Sequence, residues 1–114
     1  MTPIIVPRAF IDQAVKDMIQ DLLNMWDNYY SVKMQILAET GSTDPNIHNN
    51  TVSPNRYEKN KDQIARKIKK FFSGKLSVKT FESRVRRHVK KLNKLRVRYA
   101  RELGNFAVQC HAEL

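Results

Sequence analysis

The chain has 114 residues, the length of one domain with a single small core. Apolar residues make up 41%, as in ordinary globular proteins, but three Gly and four Pro are too few punctuating residues for a fold of many short strands, so a helical protein is expected. The net charge of +10 is concentrated in one half. Residues 1–50 hold three basic residues (Arg8, Lys16, Lys33) against six acidic ones, whereas residues 51–114 hold 18 basic against five acidic, so the C-terminal half carries a field that attracts polyanions.

Cys110 is the only cysteine, which excludes an intramolecular disulfide and a disulfide-stapled secreted scaffold. A reducing intracellular compartment, cytoplasm or nucleus, is the expected location. Ile4-Ile5-Val6, between Pro3 and Pro7, is too brief for a signal-peptide core, and no membrane span is visible. Asn49-Asn50-Thr51 has glycosylation spacing, but in a polar stretch without a secretion signal it is read as a chance match.

The first helix is expected over about 7–40. Ile11, Val15, Met18, Leu22, Met25, Tyr29, Val32 and Ile36 alternate steps of four and three, a heptad seam, with Pro7 suited to the first turn and Gly41 to the stop. Phe10, Ala14, Ile19, Leu23, Trp26, Tyr30 and Leu37 widen the stripe, so this helix has neighbours on more than one side and forms the centre of the core. Trp26, Tyr29 and Tyr30 are aromatic residues of the kind that stack unpaired bases, but Asp17, Asp21 and Asp27 beside them repel a nucleic-acid backbone, which favours core packing.

A loop is expected over 41–55, where two prolines and four asparagines collect. The second helix is expected over about 56–73, with Tyr57, Ile64, Ile68 and Phe71 on one face, cations on the others, and Ser73-Gly74 at its end. The third, about 77–112, starts at the N-cap candidate Ser77. Its seam is Val78, Phe81, Val85, His88, Leu92, Leu95, Tyr99, Leu103, Phe106 and Cys110, with Gly104-Asn105 the one place where it could bend or end.

The chemistry lies in charge. Arg84, Arg87, Lys91, Lys94, Arg98 and Arg101 are spaced three and four apart, which makes one stripe about 26 Å long on a helix, away from the apolar seam. Arg86 and Lys90 broaden it, and Lys79 is a further candidate contact. From Lys79 to Arg101 there are ten basic residues and one acid, Glu82, so ion pairing along the helix does not explain the pattern. Each phosphate that such cations neutralise releases condensed counterions from a nucleic acid. Lys59, Arg66, Lys67, Lys69, Lys70 and Lys75 add a second rank.

Leu76-Ser77-Val78-Lys79-Thr80-Phe81-Glu82-Ser83, followed by Lys91-Leu92, locally resembles the recognition-helix region of the helix-turn-helix in bacterial response regulators and quorum-sensing activators. The resemblance implies that Ser77 caps the helix while Lys79, Thr80, Ser83 and Arg87 face DNA. The chain departs from that family before Ser77, where Arg66 to Phe72 fills the space in which the preceding helix would already have ended, and after it, where the third helix runs on too far.

His48, His88, Cys110 and His111 lack metal-ligand spacing, and no nucleophile with a base, paired carboxylates or glycine-rich phosphate loop is present. No enzyme, metal or cofactor is therefore expected, and His88 and Cys110 are read as seam residues. The expected molecule is an all-α, three-helix antiparallel bundle with long amphipathic helices. It is expected to be a homodimer that contacts the phosphate backbone of duplex DNA or double-stranded RNA through a basic helical face. The alternative is an adaptor or inhibitor that docks this face on an acidic protein partner. Attachment to an anionic membrane is disfavoured, because the third helix has no Trp and a narrow apolar seam.

Overall fold

Local chemistry written into the chain closes the first long helix and opens the last. In the computed structural model, which describes residues 3–41 and 54–112, α1 spans Arg8–Thr40, α2 spans Pro54–Phe71 and α3 spans Val78–His111. Pro7 precedes α1 with an extended backbone, and Gly41 closes it in the left-handed conformation (φ 61°), its N–H donating to the Leu37 carbonyl. Ser77 is the N-cap of α3, its hydroxyl accepting from the Thr80 N–H at 3.2 Å. α3 continues through Gly104 as one helix of 34 residues, as expected. The expected loop over 41–55, with His48 and the Asn49 site, lies largely outside the described residues.

The molecule is all-helical, and α1 is its centre: α2 and α3 both pack on it. Consecutive helices run in opposite directions. Lys61 of α2 meets Asp27 of α1 at 3.5 Å, and Ile68 and Phe72 meet Ile11 and Val15, so α2 descends along α1. Phe81 lies beside Phe10, Tyr99 beside Tyr29, and Cys110 beside Leu37, so α3 runs parallel to α1 over almost its whole length. The result is a rod of 67 × 24 × 17 Å. Its radius of gyration, 18.4 Å, exceeds the value of about 13 Å for a compact domain of this length.

One core cluster, Val6, Ile11, Val15, Ile68, Phe72 and Leu76, sits at the end where all three helices meet. A second, Leu37, Phe106 and Cys110, joins the far ends of α1 and α3. Ile4 to Val6 pair briefly with the α2–α3 turn: Val6 N–H donates to Leu76 O and Val78 N–H to Ile4 O, both at 2.9 Å. Arg8 locks the same turn, its Nη1 donating to the carbonyls of Phe72 at 2.9 Å and Gly74 at 3.0 Å.

The seam of α1 departs from a strict heptad. From Met18 onward the inward positions are Met18, Leu22, Trp26, Tyr29, Lys33, Leu37 and Thr40. Steps of four, four and three give a repeat of about 11 residues, or roughly 3.67 per turn, close to the natural pitch of a straight helix. Trp26, Lys33 and Leu37 are therefore buried, while Met25, Val32 and Ile36, one position earlier, are only half-buried.

Candidate nucleic-acid interface

The α2–α3 turn folds the end of α2 against the beginning of α3, and both carry cations there. Lys67 and Lys70 of α2 and Arg84 and Arg87 of α3 line an open basin of about 420 Å³ around Phe71, and no acidic side chain lines it. Arg84 is fixed in place: its Nη1 donates to the Phe71 carbonyl at 2.7 Å. The cationic groups of Arg84, Arg87 and Lys91 stand 5.5, 5.7 and 5.6 Å from the Phe71 ring centroid. The electron-rich face of the ring attracts all three charges, which lowers the cost of crowding them. Phe71, placed by the sequence on one face of the second helix with Ile64 and Ile68, is thus also the platform on which two basic helices converge.

Beyond the basin, Lys94, Arg98 and Arg101 continue along the exposed face of α3. Among the described residues Arg87, Lys91, Lys94 and Arg101 form no ion pair, whereas Arg98 is held by Glu102 at 2.9 Å. Arg86 reaches Glu82 at 3.8 Å. Lys79, Arg86 and Lys90 are exposed on α3 outside the basin, and Arg66 is exposed on α2 outside it. Lys69 faces the other side of α2, in a recess shared with Arg8, Asp12 and Lys16 of α1.

His88 sits just inside this surface, half-buried. Burial lowers its pKa below the usual histidine value and Lys91 adds to the effect, against an opposing pull from Asp21, so the ring is neutral at pH 7. Cys110 is fully buried in the second core cluster. No group of three His, Cys, Asp or Glu able to hold a metal occurs among the described residues, and no described helix is long and apolar enough to cross a membrane.

The sequence reading missed a buried polar group at the other end of the rod. Lys33 is 8% exposed, with its Nζ 3.5 Å from the Tyr29 hydroxyl and 5.0 Å from the Phe106 ring centroid. Tyr29 in turn donates to Glu102 at 2.9 Å. The signal that could have found it is the four-four-three spacing, which places Lys33 in line with Tyr29 and Leu37.

The helix-turn-helix resemblance is matched in the Ser77 cap. The helix it would begin is 34 residues long and packs along the whole of α1, unlike a short recognition helix. Comparison with family models, with curated proteins and with solved structures finds no match for this chain.

Proposed function

We propose that this protein binds nucleic acid, without enzymatic activity of its own, by laying α3 along the phosphate backbone of duplex DNA or double-stranded RNA. The observation that carries this reading is the convergence of Lys67, Lys70, Arg84, Arg87 and Lys91 around Phe71, continued by Lys94, Arg98 and Arg101. A rod 67 Å long presents such a row as a straight edge, and a straight edge suits a backbone with regularly repeating charges. Contacts from such cationic side chains to phosphates position a protein on a duplex and by themselves carry no sequence information.

A homodimer belongs to the same proposal. Ile4, Ile5, Phe10 and Val78 are all at least 40% exposed and gather at the three-helix end, an apolar cluster suited to a two-fold contact. Sedimentation of the wild type and of Phe10→Asp tests it; a monomer at all concentrations removes the dimer.

The experiment for the binding reading is titration with matched duplex DNA, duplex RNA and single strands across a salt series. The expected result is a steep fall of affinity with salt and a preference for one duplex. Weak binding to all three at low salt overturns the proposal and leaves an acidic protein as the partner.

A further inference from the structure

An open trough runs from the cationic basin along the line where α2 and α3 flank α1. Its walls are Ile64 and Ile68 of α2 and Leu92 and Leu95 of α3, with Leu22 of α1 beneath, and its volume is about 380 Å³. This is within the range of about 300–1,000 Å³ found for small-molecule sites. Most of these side chains are only half-buried, so apolar surface stays open to water in a groove and not merely on a convex face.

The two ends differ. At one, Tyr99 closes the trough and is itself backed by Tyr29 at 4.6 Å and Trp26 at 6.1 Å between ring centroids. At the other, Lys67 and Lys91 stand on opposite rims, and Lys67 and Phe71 line both the trough and the basin. From His88 to Tyr99 the trough extends about 16 Å at the rise of a helix. Apart from His88 at the cationic end and the Tyr99 hydroxyl at the other, the walls between the two ends offer aliphatic carbon, which disfavours a nucleobase, whose polar edges would lose most of their water without replacement. An aliphatic slot with a positive mouth complements a molecule with an aliphatic tail and a negative head.

We propose that the α2–α3 trough binds a free single-chain fatty acid, its acyl tail against Ile64, Ile68, Leu92 and Leu95 and its carboxylate between Lys67 and Lys91. The site shares Lys67, Lys91 and Phe71 with the proposed nucleic-acid surface, but it rests on the aliphatic trough and not on that reading.

The test is calorimetric titration of the full chain with dodecanoate below its micelle concentration, with dodecyltrimethylammonium as the charge-inverted probe. The expected result is saturable one-to-one binding of dodecanoate and none of the cation. Lys67→Glu/Lys91→Glu lowers dodecanoate affinity at least tenfold, while Lys16→Glu/Lys69→Glu, with two charges reversed on the other side of α2, leaves it unchanged. Circular dichroism checks that each variant is folded, and Lys67→Gln/Lys91→Gln replaces the first pair should it unfold. Absence of saturable binding, equal binding of both amphiphiles, or full affinity in the rim variant overturns the proposal. So does flotation with phosphatidylglycerol vesicles without binding of free dodecanoate, or a dimer of this chain that excludes dodecanoate from the trough. Loss of nucleic-acid binding with intact dodecanoate binding separates the two proposals.

Discussion

The Tyr29 hydroxyl donates a 2.9 Å hydrogen bond to Glu102, tying α1 to α3 across 73 residues of chain. Glu102 also accepts from Arg98 at 2.9 Å, so one carboxylate holds both a buried phenol and an exposed guanidinium. Burial, reinforced by Glu102, pushes the Tyr29 pKa up to about 12. Desolvation works to raise the Glu102 pKa, but the hydrogen bonds from Arg98 and Tyr29 and the nearby positive charges outweigh it and hold the carboxyl below its ordinary value.

These shifts set two limbs of a pH profile. The Tyr29 contribution to stability is complete below the unfolded tyrosine pKa of about 10 and is lost as pH rises toward about 12. The Glu102 contribution is complete above the unfolded value of about 4.3 and is lost as pH falls through the lower folded one. Tyr29→Phe is expected to cost about 1–3 kcal/mol at pH 7, because a hydrogen bond to a charged acceptor disappears. In denaturant melts the gap between wild type and variant should close between pH 10 and 12. A gap that stays constant across that range would remove the phenol from the account.

Lys33 is a charged group among aromatic rings, and burial lowers its pKa below the ordinary lysine value despite the opposing charge of Glu102. The cost of burying that charge is present at neutral pH and fades as pH climbs through the lowered folded pKa toward the unfolded one. Lys33→Met keeps the length and removes the charge, so it should raise the thermal midpoint at pH 7, with the benefit shrinking in alkali. A lower midpoint for the variant would mean that the cation–ring contacts with Tyr29 and Phe106 outweigh desolvation.

Gly104 lies inside α3 with helical backbone, and a Cβ added there meets nothing within 4 Å. Gly104→Ala should therefore stabilise the protein by about 0.4–1 kcal/mol, by removing freedom from the unfolded chain. Thermal unfolding measures this directly, and no gain would show that the helix is frayed at that point in solution.

Arg8 reaches two carbonyls of the α2–α3 turn while its Nε bridges Asp12 at 2.9 Å. Arg8→Gln should cost about 1.5–3 kcal/mol through the lost charged hydrogen bonds. Arg8→Lys should recover only part, because a lysine ammonium lacks the planar fork that serves both carbonyls and the carboxylate. Full rescue by lysine would reduce the role of Arg8 to its charge.

Arg87 and Lys94 are exposed on α3 and form no ion pair among the described residues. Arg87→Glu/Lys94→Glu should weaken nucleic-acid binding by orders of magnitude and flatten its salt slope by about 1 for each phosphate contact removed, with helicity unchanged. Unchanged affinity in this variant would take the stripe out of the mechanism.

Much of this was legible in the order of residues. The α3 seam could be read because Phe81, Val85, Leu92, Phe106 and Cys110 keep a regular three-and-four spacing, and the same spacing makes Arg84 to Arg101 a stripe. The α1 seam was legible in full only through Leu22, although Tyr29 of the expected row is buried too. Beyond it two apolar rows lie side by side, Met25-Val32-Ile36 and Trp26-Tyr29-Leu37, and a helix with apolar residues on adjacent positions does not announce which row faces its neighbour.

By itself, the sequence determined the helical class, the capping of α3 by Ser77, the stop at Gly41 and the concentration of positive charge in the C-terminal half. These are local properties, set by backbone preference, side-chain hydrogen bonding and residue spacing within a few turns. Only the tertiary structure decided that Lys67 and Lys70 meet Arg84, Arg87 and Lys91 around Phe71, that Lys33 and Tyr29 join Glu102, and that Ile4 to Val6 lie against Leu76 to Val78. Each of these joins residues whose distance in space depends on the direction and register with which α2 and α3 pack on α1. That register follows from the fit of whole helix faces, a sum over many side chains that no single spacing in the chain expresses.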